Sequence, residues 1–173
     1  MRRTLVVVLV GVVALAAGVM LGFELDSDES AAPVATGLPP AVEETRATLL
    51  EAAEAGDYDA LTPHMSDAFR YTFGVGKPGG AVEYWQEQER TTGERPLEIL
   101  AEILKMPYVL SHGYYVWPWA YTVESSDDLS PHEVELLAAL GPPGRFFPEG
   151  TGYLGWRAGI APDGTWAFYV AGD

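Results

Sequence analysis

Residues 154–170 read LGWRAGIAPDGTWAFYV, and this stretch predicts a β-hairpin. Apolar side chains alternate with glycine and arginine over residues 154–160, which is typical of a strand that buries one face. Residues 161–164, Ala-Pro-Asp-Gly, are of the types that favour a tight turn. Residues 166–170 then resume an alternation that begins with Trp and ends with Val. We therefore expect an antiparallel pair of strands near the end of the chain.

Four segments before the hairpin have the periodicity of amphipathic helices. In the first, Val42, Leu49 and Ala53 recur at helical intervals among charged residues. Asp57 is placed to cap the second segment, and Pro96 suits the first turn of the fourth. The predicted helices cover residues 41–55, 58–66, 81–92 and 96–105.

A capping box predicts a fifth helix. Ser130 and Glu133 have the spacing of a capping box, in which each side chain accepts a hydrogen bond from the backbone N–H of the other residue. Pro131 occupies the first helical position. The predicted helix covers residues 131–140 and ends at Gly141.

Two further segments are rich in aromatic and β-branched residues and predict strands. The first covers residues 69–75, and the second covers residues 114–123, where Pro118 cannot donate a ladder hydrogen bond and marks an edge or a bulge. Helices lead and antiparallel strands follow, without regular βαβ alternation. This order predicts an α+β fold.

Composition excludes several classes of function. The chain has 173 residues and a formal net charge of −15, from 10 basic and 25 acidic residues. Binding to a nucleic-acid backbone needs clustered Lys and Arg, so we expect no nucleic-acid partner. The absence of cysteine excludes disulfides, thiolate nucleophiles and cysteine metal sites. No histidine or acidic spacing typical of zinc or calcium sites is present, so we expect no metal and no cofactor.

The amino terminus predicts an export or anchoring segment. Arg2 and Arg3 precede an uncharged apolar stretch at residues 5–23, and acidic residues follow it. Basic residues stay on the cytoplasmic side of an inserting segment, which predicts that the remainder lies outside the cytoplasm. Residues 1–23 are either an uncleaved membrane anchor or a signal peptide, because residues 14–16 (Ala-Leu-Ala) fit a cleavage pattern.

The rest of the chain divides into a linker and one domain. Residues 24–40 combine acidic residues with Pro and Gly and lack hydrophobic periodicity, so they predict a flexible linker. Residues 41–173 then form a single α+β domain. We expect a location at the cell membrane, held through residues 5–23, or export after cleavage.

The order of elements resembles that of the NTF2-like superfamily. The motif that carries the resemblance is Glu-Thr-Arg-x-x-Leu-Leu-x-Ala-Ala-x-Ala-Gly-Asp-Tyr-Asp-x-Leu at residues 44–61, followed by a short helix, an aromatic strand, a helix and late strands. The resemblance implies helices packed on a strongly curved antiparallel sheet, a cone that holds a ligand pocket or catalytic residues. It implies no particular activity. Residues 116–119 and 155–173 resemble uncharacterised bacterial proteins.

An aromatic run supplies candidate binding residues. If residues 114–121 form one regular strand, Tyr115, Trp117, Trp119 and Tyr121 share a face and form an aromatic wall. Such a wall is either core packing or the lining of a pocket for sugars, peptides or ring-bearing ligands. Arg157 alternates with Trp156, and it either holds an anionic group within the cone or faces solvent. The candidate ligand-binding residues are Tyr71, Trp85, Tyr115, Trp117, Trp119 and Arg157.

These features predict a non-enzymatic domain that binds a small molecule or an envelope protein partner through an aromatic-lined pocket. Phe146 and Phe147 lie in a Gly/Pro-rich loop that either contacts such a partner or folds inward. The alternative is a small cofactor-free hydrolase or isomerase in which His112 acts with a carboxylate, Glu102, Asp67 or Asp163.

Overall fold

The structure is a computed structural model that describes residues 37–76 and 80–172. The predicted leader and most of the predicted linker lie outside the described residues. The helices are α1 (Pro40–Ala55), α2 (Tyr58–Leu61), α3 (Gly80–Thr92), α4 (Pro96–Lys105) and α5 (Pro131–Leu137). The strands are β1 (Met65–Arg70), β2 (Val109–Ser111), β3 (Tyr114–Trp117), β4 (Arg157–Ile160) and β5 (Trp166–Val170).

Local capping signals explain where the helices begin and end. Helix α1 stops at Gly56, whose left-handed backbone (φ 69°) allows its N–H to bond back to the last turn. The Asp57 carboxylate accepts the backbone N–H groups of Asp59 and Ala60 at 3.0 Å and starts α2. The capping box predicted for α5 is present, although the helix ends at Leu137, three residues earlier than expected.

The five strands form one curved sheet in the order β1-β5-β4-β3-β2. Neighbours are antiparallel except for β1 and β5, which are parallel. The predicted terminal hairpin is confirmed as the pair β4 and β5, in which Ala158 lies opposite Tyr169 and Gly159 opposite Phe168. The fold is therefore α+β, with helices packed on a mainly antiparallel sheet.

The two faces of the sheet are covered differently. One side, here called the helix face, packs on α1, α3 and α4 and includes Ala158, Ile160 and Trp166. The opposite side, here called the open face, is only partly covered, by a second cluster that includes Trp119, Leu137, Phe146, Phe147 and Tyr153. Phe146 and Phe147 are each 8% exposed, so their loop folds inward.

Two predicted strands differ from those observed. Strand β1 spans Met65–Arg70 rather than residues 69–75, and Phe73 and Val75 are 54% and 93% exposed. Gly74 and Gly76 give that segment no side chains to pack, which disfavours a strand there. Strand β3 ends at Trp117, before a cis peptide bond to Pro118 and a 3₁₀ turn over Trp119–Thr122.

Within the described ranges, no helix is both long and apolar enough to cross a membrane. The predicted anchor at residues 5–23 is outside these ranges and stays a prediction.

Helix α5 packs on the open face through Leu137, and Glu133 adds polar contacts there. Glu133 accepts the Trp119 indole N–H at 2.8 Å, and it also accepts the hydroxyl and backbone N–H of Ser130 at 2.7 and 2.8 Å. The Ser130 hydroxyl makes the largest contribution to a Glu133 pKa below its ordinary value, and these bonds together outweigh the opposing effect of burial.

We expect Glu133→Gln to lower the melting temperature of the full chain at pH 7 by roughly 3–5 °C, because a cap and a charge-assisted bond together contribute about 1 kcal/mol. The folded state lowers this pKa, so the contribution is present above the unfolded pKa and is lost as the pH falls through the folded value. The difference between wild type and variant should therefore shrink in thermal melts at decreasing pH. Glu135→Gln, on an exposed position of the same helix, is the control. A constant difference down to pH 3 would contradict this account.

Candidate functional site

The predicted aromatic wall does not form. Tyr115 and Trp117 belong to β3 and pack on the helix face, whereas Trp119 lies in the following 3₁₀ turn and packs in the cluster on the open face. The prediction assumed strand alternation through Pro118. Because proline has no N–H for the ladder, β3 stops there and the next side chains follow a different geometry.

Three of the predicted binding residues are part of the core. The exposed fractions of Trp85, Trp117 and Trp119 are 0%, 1% and 2%. Tyr71 and Tyr115 are half-buried, with ring centroids 5.6 Å from Tyr84 and Tyr108 respectively. The rings that were expected to line a pocket thus pack mainly against other rings.

Arg157 projects from the open face. It alternates with Ala158, which is in the core of the helix face. Its guanidinium carbon lies 5.0 Å from the centre of the Phe73 ring and 5.2 Å from that of Tyr121. Both distances are within the range of cation–π attraction, so two rings position this side chain.

A cavity of about 580 Å³ opens beside this guanidinium. We call it the Arg157 cavity; its lining includes Arg157, Tyr121, Glu124, Thr151 and Tyr153. Burial raises the pKa of Tyr153 above its ordinary value, and the nearby Arg157 acts in the opposite direction. The Tyr153 hydroxyl therefore stays protonated and donates to the Trp156 carbonyl at 3.1 Å. The polar groups of this cavity suit binding better than proton abstraction.

A second cavity, of about 600 Å³, lies on the same side of the sheet. We call it the Arg70 cavity; its lining includes Ser66, Arg70, His112, Tyr114, Tyr121 and Asp163. Tyr121 lines both cavities, so they adjoin at its ring. Arg70 was not among the predicted binding residues, although the predicted strand at residues 69–75 included it.

His112 lies in the two-residue turn between β2 and β3. Its backbone has a φ of 50° and its side chain is exposed. It shares the Arg70 cavity with Asp163, but no acidic side chain in the described ranges forms an ion pair with it. The Asp163 carboxylate instead accepts the Thr165 N–H at 2.9 Å, which lowers its pKa. A preformed His–carboxylate pair is thus not seen.

The part of the chain that the structure describes contains no group of three or more His, Asp or Glu side chains that could hold a metal ion.

Comparisons of the chain with protein family models, curated proteins and solved structures find no match. Function is therefore inferred from the geometry of the site.

The floor of the open face depends on Gly159. The Phe168 ring lies against this residue, where a Cβ atom would collide with it, and it also contacts Tyr114 edge-on with a centroid separation of 5.7 Å. A side chain at position 159 would therefore displace a ring that lines the Arg70 cavity.

We expect Gly159→Ala to destabilise the full chain by about 1–3 kcal/mol, the usual cost of overpacking, and to lower its melting temperature accordingly. Gly144→Ala is the matched control, because a Cβ at Gly144 meets nothing within 4 Å. Thermal unfolding followed by tryptophan fluorescence would measure both. Equal melting temperatures for the two variants would show that the Phe168 ring is not held against the sheet.

Proposed function

We propose that this chain is a non-enzymatic, extracytoplasmic binding domain that holds a small anionic molecule at the Arg157 cavity. The observation that carries the proposal is a guanidinium positioned by two aromatic rings at the wall of a cavity. A cavity volume of about 580 Å³ is in the range of small-molecule sites. Such sites combine apolar surface with a few fixed polar groups, which Arg157, Thr151 and Tyr121 supply here.

The chemistry of Arg157 indicates the kind of group that is bound. A guanidinium presents a planar fork of N–H donors that matches a carboxylate or phosphate bidentately. Ring contacts restrict the side chain before the ligand arrives, so less conformational entropy is lost on binding. The rings of Phe73 and Tyr121 offer apolar surface to the remainder of the ligand.

We further propose that the domain has NTF2-like architecture and is attached to the membrane through residues 5–23, or is exported after cleavage of the leader. The α+β fold with helices on a curved sheet is compatible with that architecture. The basic start, apolar stretch and acidic continuation support the location. An envelope protein that presents an anionic group is a second kind of partner for the same face.

The test is a binding screen of the full chain in neutral detergent against cell-wall sugars, peptides and lipids, each with and without a free carboxylate. Tryptophan fluorescence and melting temperature report binding. We expect carboxylate-bearing ligands to raise the melting temperature, and Arg157→Gln to weaken their binding about tenfold or more. Arg90→Gln is the control, because Arg90 is exposed on α3 and pairs with Glu87. No response from any ligand, or equal effects of both variants, would overturn the proposal.

The alternative is a hydrolase or isomerase that uses His112 with Asp163, and one observation favours it: both residues line the Arg70 cavity. Catalysis would require the imidazole to move within hydrogen-bond reach of an acid when substrate binds. Activity on ester or ketone substrates that disappears in His112→Ala, with an unchanged melting temperature, would support the enzyme. Turnover that survives this change would exclude His112 as its catalytic base.

A further inference from the structure

We infer that the ligand of the open face carries two carboxylates and lies across both cavities, with one carboxylate at Arg157 and the other at Arg70. This inference rests on the proposed function and extends it to a class of ligand. Neither cavity alone indicates a dianion. The indication comes from two arginines on one face, joined by a shared aromatic side chain.

Strand alternation places both arginines on the same face. In β1, Met65 and Phe69 pack against the core of the helix face, whereas Ser66 and Arg70 line the Arg70 cavity. In β4, Ala158 is in the helix-face core and Arg157 lines its own cavity. Successive side chains of a strand point to opposite sides of the sheet. In both strands, therefore, the arginine lies on the open face.

The strand register gives the span that a ligand would bridge. Arg70 lies opposite Phe168, and Phe168 lies opposite Gly159, so Arg70 is two strands away from Gly159. At about 4.8 Å between strands and 3.4 Å per residue, the Cα atoms of Arg70 and Arg157 are roughly 12 Å apart. Both side chains are long and can adjust this span, so the matching ligand is a small molecule rather than a polymer.

Arg70 differs from most cations of the chain. Of ten basic residues, Arg2, Arg3 and Lys77 lie outside the described residues. Five of the described basic residues form ion pairs with described carboxylates: Arg46, Arg90, Arg95, Lys105 and Arg145. No carboxylate in the described ranges lies within 4.0 Å of a nitrogen of Arg70. In so acidic a protein, a cation in a cavity without such a neighbour is available to a ligand carboxylate.

Tyr121 connects the two cavities, and Tyr114 and Phe168 continue the apolar surface on the Arg70 side. An aliphatic or ring-bearing spacer would pack on these rings. Glu124 lines one cavity and Asp163 the other, and both would repel the second charge of a phosphate. The site therefore favours singly charged carboxylates at each end of an apolar spacer.

The experiment compares α,ω-dicarboxylates of four to ten carbons with monocarboxylates of equal length, using the full chain in neutral detergent and calorimetric titration. For wild type we expect the best dicarboxylate to bind about tenfold or more tightly than its matched monocarboxylate, since a second charge-assisted bond forms. Affinity should peak at one chain length, because only that length reaches both guanidinium groups.

Variants separate this inference from the proposed function. Arg70→Gln should remove the dicarboxylate advantage while leaving monocarboxylate affinity within about twofold, and Arg157→Gln should weaken both classes about tenfold. Ala68→Asp, which places a negative charge in the Arg70 cavity two residues from Arg70 on the same side of β1, should repeat the effect of Arg70→Gln without removing the arginine. Arg90→Gln should change nothing.

The possible results distinguish the two-carboxylate ligand from the proposed function. Equal binding of mono- and dicarboxylates that still depends on Arg157 would overturn the two-carboxylate ligand and leave the proposed function standing. A dicarboxylate advantage that survives both Arg70→Gln and Ala68→Asp would also overturn it. Failure of every carboxylate to bind would overturn both proposals.

Discussion

Trp85 joins the helical layer to the sheet, and the rest of the structure depends on that contact. Its side chain is fully buried, and its ring lies 5.4–6.3 Å, centroid to centroid, from those of Tyr58, Phe69, Trp166 and Tyr169. Each such aromatic side chain removes roughly 150–250 Å² from water. Three tryptophans of the same cluster, Trp85, Trp156 and Trp166, have buried indole N–H groups without a hydrogen-bond acceptor in the described ranges, which costs free energy. The burial of aromatic surface offsets this cost.

The packing of the helix face explains why the Arg157 and Arg70 cavities lie on the other side of the sheet. A sheet strand has two sides, and β4 uses them differently: Ala158 and Ile160 are fully buried under the helices, whereas Arg157 and Gly159 belong to the open face. Tryptophans that could have lined a pocket under the helices instead pack against one another. The Arg157 and Arg70 cavities are on the opposite side, where Gly159 lets the Phe168 ring lie against the strand.

Local signals in the sequence predicted most of the helices and the terminal hairpin. The errors arose in strands whose bounds depend on pairing with a neighbouring strand. Helical periodicity, the Ser130 capping box and the hairpin turn act over a few residues, so they could be recognised without knowledge of the fold. Strand β2 is three residues long and carries too little pattern to be noticed. Alternation fitted residues 69–75 as well as it fitted Met65–Arg70, and only pairing with β5 selects the latter. Arg70 lay inside the predicted strand but was not singled out, because only the paired sheet places it in one cavity with Tyr121 and Asp163. Pro118 ended β3 and divided the predicted aromatic wall between the two faces of the sheet.

The acidity of the chain limits the distance over which Arg157 or Arg70 can attract an anion. With a net charge of −15, the protein as a whole repels anions at a distance, so electrostatic steering does not bring a carboxylate to the open face. Charges are screened beyond about 8 Å at physiological salt, which weakens that repulsion and also confines the attraction of Arg157 and Arg70 to ligands already within the cavities. If the open face binds a carboxylate as proposed, recognition must come from short-range contacts: bidentate hydrogen bonds at the guanidinium groups and packing on Tyr121. Under that proposal the open face would select an anion by shape and contact, and it would hold weakly any anion that cannot also bury an apolar part.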